Sequence, residues 1–173
     1  MPNICQAPGI FDNAFSYLRK ISEINMRCPL HSIEDNAFGH TRSLTKLLLS
    51  KTKFHGIPSA ISRIKNLKTL EIVDGKLTVI TTELQYMPEL VNLTLTENRI
   101  SSLLGSAFLG DQKLQSIILT SNRLSSLDNE IFDPCLSLRL VKLDKNALVT
   151  VDGLFQNPSL MPLRLRGSIE RYA

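Results

Sequence analysis

The sequence predicts an α/β solenoid: a curved stack of similar coils, with a parallel β-sheet on its concave face and loops, turns or short helices on its convex face. Three observations predict it. The stretch "LTLTENRISSLLGSAF" at Leu93–Phe108 is rewritten 24 residues later as "IILTSNRLSSLDNEIF" at Ile117–Phe132. A leading apolar residue recurs at Ile21, Leu44, Leu67, Leu90, Leu114, Leu138 and Leu160, in steps of 23, 23, 23, 24, 24 and 22 residues. Apolar residues follow three and five places after each leader, which is the period-two alternation of a strand with one row inward and one outward. A strand of this kind cannot bury its apolar row alone. Stacking the next copy beside it at roughly 4.8 Å builds one sheet over a continuous core.

Taken in order, each coil supplies its own strand. The first carries Ile24 and Met26; it runs one residue short, and Cys28, Leu30 and Ile33 restore the phase. The second carries Leu47 and Leu49, then Thr52 and Phe54, and the third Leu70 and Ile72, then Gly75 and Leu77. The next three read Leu93/Leu95 with Asn98 and Ile100, Ile117/Leu119 with Asn122 and Leu124, and Val141/Leu143 with Asn146 and Leu148. Leu163, Leu165 and Ser168 begin a last copy. An aromatic closes many of the units, at Phe15, Phe38, Phe108, Phe132 and Phe155, and these rings are expected to stack as a spine on the convex side.

The pattern resembles the leucine-rich repeat family, whose L-x-x-L-x-L-x-x-N/C-x-L motif is matched most fully by "LVNLTLTENRI", "LQSIILTSNRL" and "LRLVKLDKNAL". The resemblance covers essentially the whole chain, residues 1–173, as a single domain of about seven repeats that starts mid-repeat. It implies that the motif asparagines, here Asn98, Asn122 and Asn146, form a structural ladder whose amides bond the backbone where each coil leaves the sheet. Without them, buried N–H and C=O groups go unpaired at about 1–3 kcal/mol each. Thr52 and Gly75 depart from the motif, so the middle turns are expected to be held less tightly. "GSAFLGDQK", "NEIFDPCLS" and the two "DNAF" stretches look like the type common in extracellular members such as Toll-like receptor and Slit-like ectodomains. "FHGIPSAISRIKN" looks like the 23-residue type with an I/L-P-x-x-I signature, frequent inside cells. The cysteine-rich caps usual in extracellular members are absent at both ends, so the chain is expected to be a fragment.

Composition excludes several classes. The net charge of +4 over 173 residues is mild, so nucleic acid is not expected as a partner. No apolar run reaches the roughly 20 residues of a membrane-spanning helix, so the segment itself is expected to make no membrane contact. His31, His40 and His55 are scattered, no nucleophile or phosphate-cradling motif occurs, and neither catalysis nor a metal or cofactor is expected. Cys5 and Cys28 fall at equivalent points of adjacent coils. They are either a disulfide or two buried thiols, and the second is favoured because side chains in a parallel ladder point the same way. Asn92-Leu93-Thr94 is a candidate N-glycosylation sequon.

What remains is the concave surface. Its central column reads Asn25, Leu48, Glu71, Thr94, Ile118, Lys142 and Arg164, and the next reads Arg27, Ser50, Val73, Thr96, Thr120, Asp144 and Arg166. Glu71, Asp74 and Glu97 cluster in the middle, and Arg139, Lys142, Lys145, Arg164 and Arg166 make the last coils basic. Leu48, Val73 and Ile118 place apolar side chains on this face, where an apolar group with a polar rim marks a partner site. The expected role is a non-enzymatic module of an extracellular or cell-surface receptor, adhesion or secreted protein, binding a protein ligand or co-receptor. An intracellular signalling scaffold is the alternative, and an accessory segment of a receptor kinase the third reading. Oligomeric state is left open.

Overall fold

The computed structural model describes residues 8–110, 113–149 and, for their backbone, 164–165. Among these, seven strands lie side by side in chain order as one parallel sheet: β2 (Glu23–Arg27), β4 (Lys46–Ser50), β5 (Thr69–Val73), β7 (Asn92–Thr94), β9 (Ser116–Ile118), β10 (Leu140–Lys142) and β11 (Arg164–Leu165). Two small parallel pairs complete the strand set. β1 (Gly9–Ile10) joins β3 (Ser32–Ile33), and β6 (Val79–Ile80) joins β8 (Ser102–Leu103). The predicted solenoid is therefore present, with little helix.

Register follows the sequence period. Ile24, Leu47, Leu70, Leu93, Ile117 and Val141 face one another from strand to strand as an unbroken inward row. Leu47, Leu70, Leu93 and Ile117 are fully buried, as their alternation requires. Each such side chain contributes about 1.5–3 kcal/mol by leaving water, and a slip of one residue would turn the row outward.

The asparagines link neighbouring coils as well as closing their own. Asn122 donates from Nδ2 to the carbonyls of Leu95 in the coil before it (2.9 Å) and Leu119 in its own coil (2.9 Å), while its Oδ1 accepts from the Ile100 amide (3.0 Å). Asn98 does the same with Ile72, Leu95 and the Leu77 amide, and Asn146 with Leu119, Leu143 and the Leu124 amide. The Leu95 and Leu119 carbonyls each accept from two asparagines, so the ladder is one chain of shared acceptors. It stops at Gly75, where an added Cβ would lie 2.6 Å from Asn98 Oδ1 and 2.9 Å from Thr52 Oγ1. Thr52 is buried and its hydroxyl has no partner. Replacing it with valine removes an unpaired polar atom at nearly constant shape, and is expected to raise stability by about 1 kcal/mol. A urea midpoint that stays put or falls would show the hydroxyl to be satisfied.

The convex side differs from a continuous aromatic spine. Phe15 stacks on Phe38 (5.4 Å between centroids) and Phe108 lies against Phe132 with the rings tilted by 32° (5.7 Å), but the two coils between carry Ile61 and Leu84 at the equivalent place, both fully buried. The change coincides with a change in backbone. The Ile57-Pro58 unit forms a one-turn helix, α1 (Ser59–Ser62), and the next coil a 3-10 turn at Glu83–Tyr86. Pro58, with φ −58° and an extended ψ of 138°, stands at the N-cap of the first of these. Phe155 lies outside the described residues.

Of the two readings for the cysteines, the disulfide holds for Cys28, which is bonded. Cys5 lies outside the described residues. Cys135 is a reduced, buried thiol.

Candidate binding face

Backbone pairing sets the outward residues of the sheet in columns. Asn25, Leu48, Glu71, Thr94, Ile118 and Lys142 are Cα partners from β2 to β10, which reproduces the central column expected from the sequence. Arg27, Ser50 and Val73 begin the second column. A third runs Glu23, Lys46, Thr69, Asn92, Ser116 and Leu140, opening with a Glu23–Lys46 ion pair at 3.3 Å. That pair is exposed and contributes at most about 1 kcal/mol.

Leu48, Val73 and Ile118 are half-buried, because each outward side chain is flanked by its partners on the two adjacent strands. The concave floor is thus a set of partly covered apolar groups between hydroxyls and amides: Thr69, Asn92, Thr94 and Ser116 occupy its middle. Glu71 and Lys142 are also half-buried and stand at opposite ends of that stretch. Asn92 is exposed in β7, with its amide 3.5 Å from the Thr69 hydroxyl. β11 pairs with β10 and puts Arg164 in register with Leu140, so its backbone belongs to the third column and not to the central one assigned from spacing. The difference arises because the last step between leaders is 22 residues, two fewer than the step before it. Arg166 lies outside the described residues.

Asp74, Glu97 and Lys145 stand apart from the floor. Together with Lys51 and Ser121 they adopt the left-handed conformation, with φ from 52° to 63°, one per coil at the point where the chain leaves the sheet. Their position is a rim. The amides of Lys51, Asp74, Glu97 and Ser121 donate to the carbonyls of Val73, Thr96, Thr120 and Asp144 in the following coil, at 2.9–3.2 Å. That conformation costs a non-glycine residue roughly 1–2 kcal/mol, and these inter-coil bonds hold it. Sequence reasoning missed this rim because none of the five is glycine or asparagine, the residues that advertise a positive φ. Its only signal is position, directly before the ladder residue. Exposed side chains of both signs, Lys51, Asp74, Glu97 and Lys145, line it.

His31, His40 and His55 are exposed, and among the described residues no three His, Cys, Asp or Glu side chains are placed to hold a metal ion. Among those residues no helix is long and apolar enough to cross a membrane.

Comparison with known proteins agrees with this geometry. A family model described as a BspA type leucine rich repeat region matches residues 6–98, and one described as leucine rich repeat matches residues 88–148. No curated protein sequence gives a significant match. Among solved structures, a leucine-rich repeat protein of Leptospira interrogans superposes with a TM-score of 0.70 at 24% identity, over 87% of this chain and 37% of that one. A TLR13–ssRNA13 complex gives 0.75 at 24% identity, over 80% of this chain and 20% of that one. The Drosophila Toll–Spatzle complex gives 0.73 at 21% identity, over 78% and 18%. The chain therefore spans less than two fifths of each of these three solved chains. With seven in-register strands, a shared-acceptor asparagine ladder and a family match over more than half its length, the chain belongs to the leucine-rich repeat family.

Proposed function

We propose that this chain is a protein-recognition segment of an extracellular or cell-surface receptor, and that its ligand docks on the concave floor between Leu48 and Lys142. The observation that carries the reading is the floor itself: Leu48, Val73 and Ile118 offer apolar surface that a partner can finish burying, ringed by groups that can hydrogen-bond. A curved parallel sheet suits the role, since every coil lends a few unconstrained side chains to one extended surface. Glu71 near one end and Lys142 at the other would orient the partner and speed encounter. The structural likeness to Toll, solved with Spatzle, supports a receptor. The Cys28 disulfide and the exposed Asn92 sequon support an oxidising, glycosylating route out of the cell. Asn92 would then carry a glycan in the third column, which leaves the central column as the contact track.

The test is capture of extracellular proteins by the secreted chain, followed by crosslinking. Ile118→Glu places a charge in the middle of the floor and is expected to abolish the captured partner, a loss of at least about 2 kcal/mol, with unchanged circular dichroism. Retained capture by this folded variant would reject the floor as the site.

A further inference from the structure

The flank from which each strand enters the sheet carries a second feature, unrelated to the floor. In three consecutive coils the entering segments are 16–22, 39–45 and 62–68. They contain Arg19, Lys20, Arg42, Arg63, Lys65 and Lys68, and no aspartate or glutamate. All six cations are exposed. The next entering segment breaks the run with Glu89, which pairs with Lys113.

The fold turns this run into a track with two adjoining depressions. One, of about 360 Å³, is lined by Arg19, His40 and Arg42. The other, of about 210 Å³, is lined by Arg42, Arg63, Lys65 and Asn66 over an apolar base of Phe38, Ala60 and Ile64, and Arg42 is common to both. A single carboxylate, Asp35, enters either lining. It is engaged: Arg63 lies 3.1 Å away and the Ser59 hydroxyl 2.6 Å away. The hydroxyl bond first, and the guanidinium second, hold its pKa below the ordinary carboxylate value. Lys65 is held over the Tyr86 ring, 5.9 Å from its centroid, and donates to the Tyr86 carbonyl, which aims a charge along the flank without neutralising it.

We propose that this flank binds a linear sulfated polysaccharide, with successive sulfates seated at Arg19–Arg42 and at Arg42–Lys65. Cations repeated coil after coil, at Arg19, Arg42 and Lys65, suit a linear ligand whose anions also repeat. Arg favours the same ligand, since its planar fork matches the oxygens of a sulfate as it does those of a phosphate. The choice of a sulfated glycan over a phosphate polymer rests on the extracellular reading above, where the disulfide at Cys28 sits in the first of these coils. The site occupies a different face from the concave floor, so both ligands can be held together.

The trailing edge supplies an internal control. Lys76, Arg99 and Arg123 recur there one per coil, but Asp74 and Glu97 stand two residues before the first two. The test uses the full chain and a heparin dodecasaccharide at physiological salt. Arg19→Gln/Arg42→Gln/Lys65→Gln is expected to lose about tenfold or more in affinity and to flatten the salt dependence, as fewer counterions are released. Lys76→Gln/Arg99→Gln/Arg123→Gln removes the same charge and is expected to lose less than about threefold. Equal losses, or no binding by the unaltered chain, would overturn the site. A single-stranded DNA of matched charge that binds as tightly, with the same dependence on the flank, would overturn the polysaccharide as its ligand. The concave-floor reading is judged separately, because Ile118→Glu is expected to leave heparin binding intact.

Discussion

Asn122→Ala is expected to lower the stability of the chain by about 2–4 kcal/mol, since one buried amide loses its partner outright, at about 1–3 kcal/mol, and two buried carbonyls each lose one of two donors. The groups are the Ile100 amide and the carbonyls of Leu95 and Leu119, all in the dry interior between two coils. Leu95 keeps a partial remedy, because its oxygen also accepts from Asn98, and Leu119 likewise from Asn146. Ile100 has no such alternative in the ladder. Urea unfolding followed by circular dichroism measures the loss. Asn122→Asp, which keeps the acceptor for Ile100 but removes both donors, is expected to fall no less far, because it also buries a charge. A loss below about 1 kcal/mol for the alanine variant, no more than a surface ion pair contributes, would mean that water substitutes for the amide and that the ladder is not what holds the coils.

Phe108→Ala is the second large effect, expected at about 3–5 kcal/mol. Phe108 is buried against Phe132, with Leu84 at the equivalent place in the preceding coil, so truncation opens a cavity at a joint between neighbouring coils. In a stack where each coil touches only its neighbours, the damage stays at that joint. Unfolding is therefore expected to lose its single transition, the coils from Leu114 onward releasing their amides to hydrogen exchange before those of β4 and β5. One cooperative transition, with all strands exchanging together, would show coupling beyond nearest neighbours.

The inward row and the asparagine positions were legible because both are written in apolar spacing and residue type, the two signals that period-two packing and a buried amide impose. Leu47, Leu70, Leu93 and Ile117 could occupy no other face. The floor columns were legible for the same reason, down to the pairing of Leu48 with Glu71 and Ile118 with Lys142. Three things were not. The left-handed rim hides behind Lys, Asp, Glu and Ser, since inter-coil hydrogen bonds supply what glycine would otherwise supply through its missing Cβ. The change of backbone at Ile61 and Leu84, into α1 and the 3-10 turn, leaves no mark in apolar spacing, since both residues keep the buried place. The cationic flank falls in segments that look like unremarkable loops one at a time, and only stacking brings Arg19, Arg42 and Lys65 into line.

Because Leu95 and Leu119 each serve two asparagines, the joint between the fourth and fifth coils is chemically the same as the joint between the fifth and sixth. A duplication of residues 99–122 would therefore meet matching donors and acceptors at both of its seams, and the horseshoe would lengthen by one turn without new bonding chemistry. A duplication seamed at Gly75 would find no amide to close it. Growth of this molecule over generations is favoured from its second half, where lineages that differ in turn number are expected to differ.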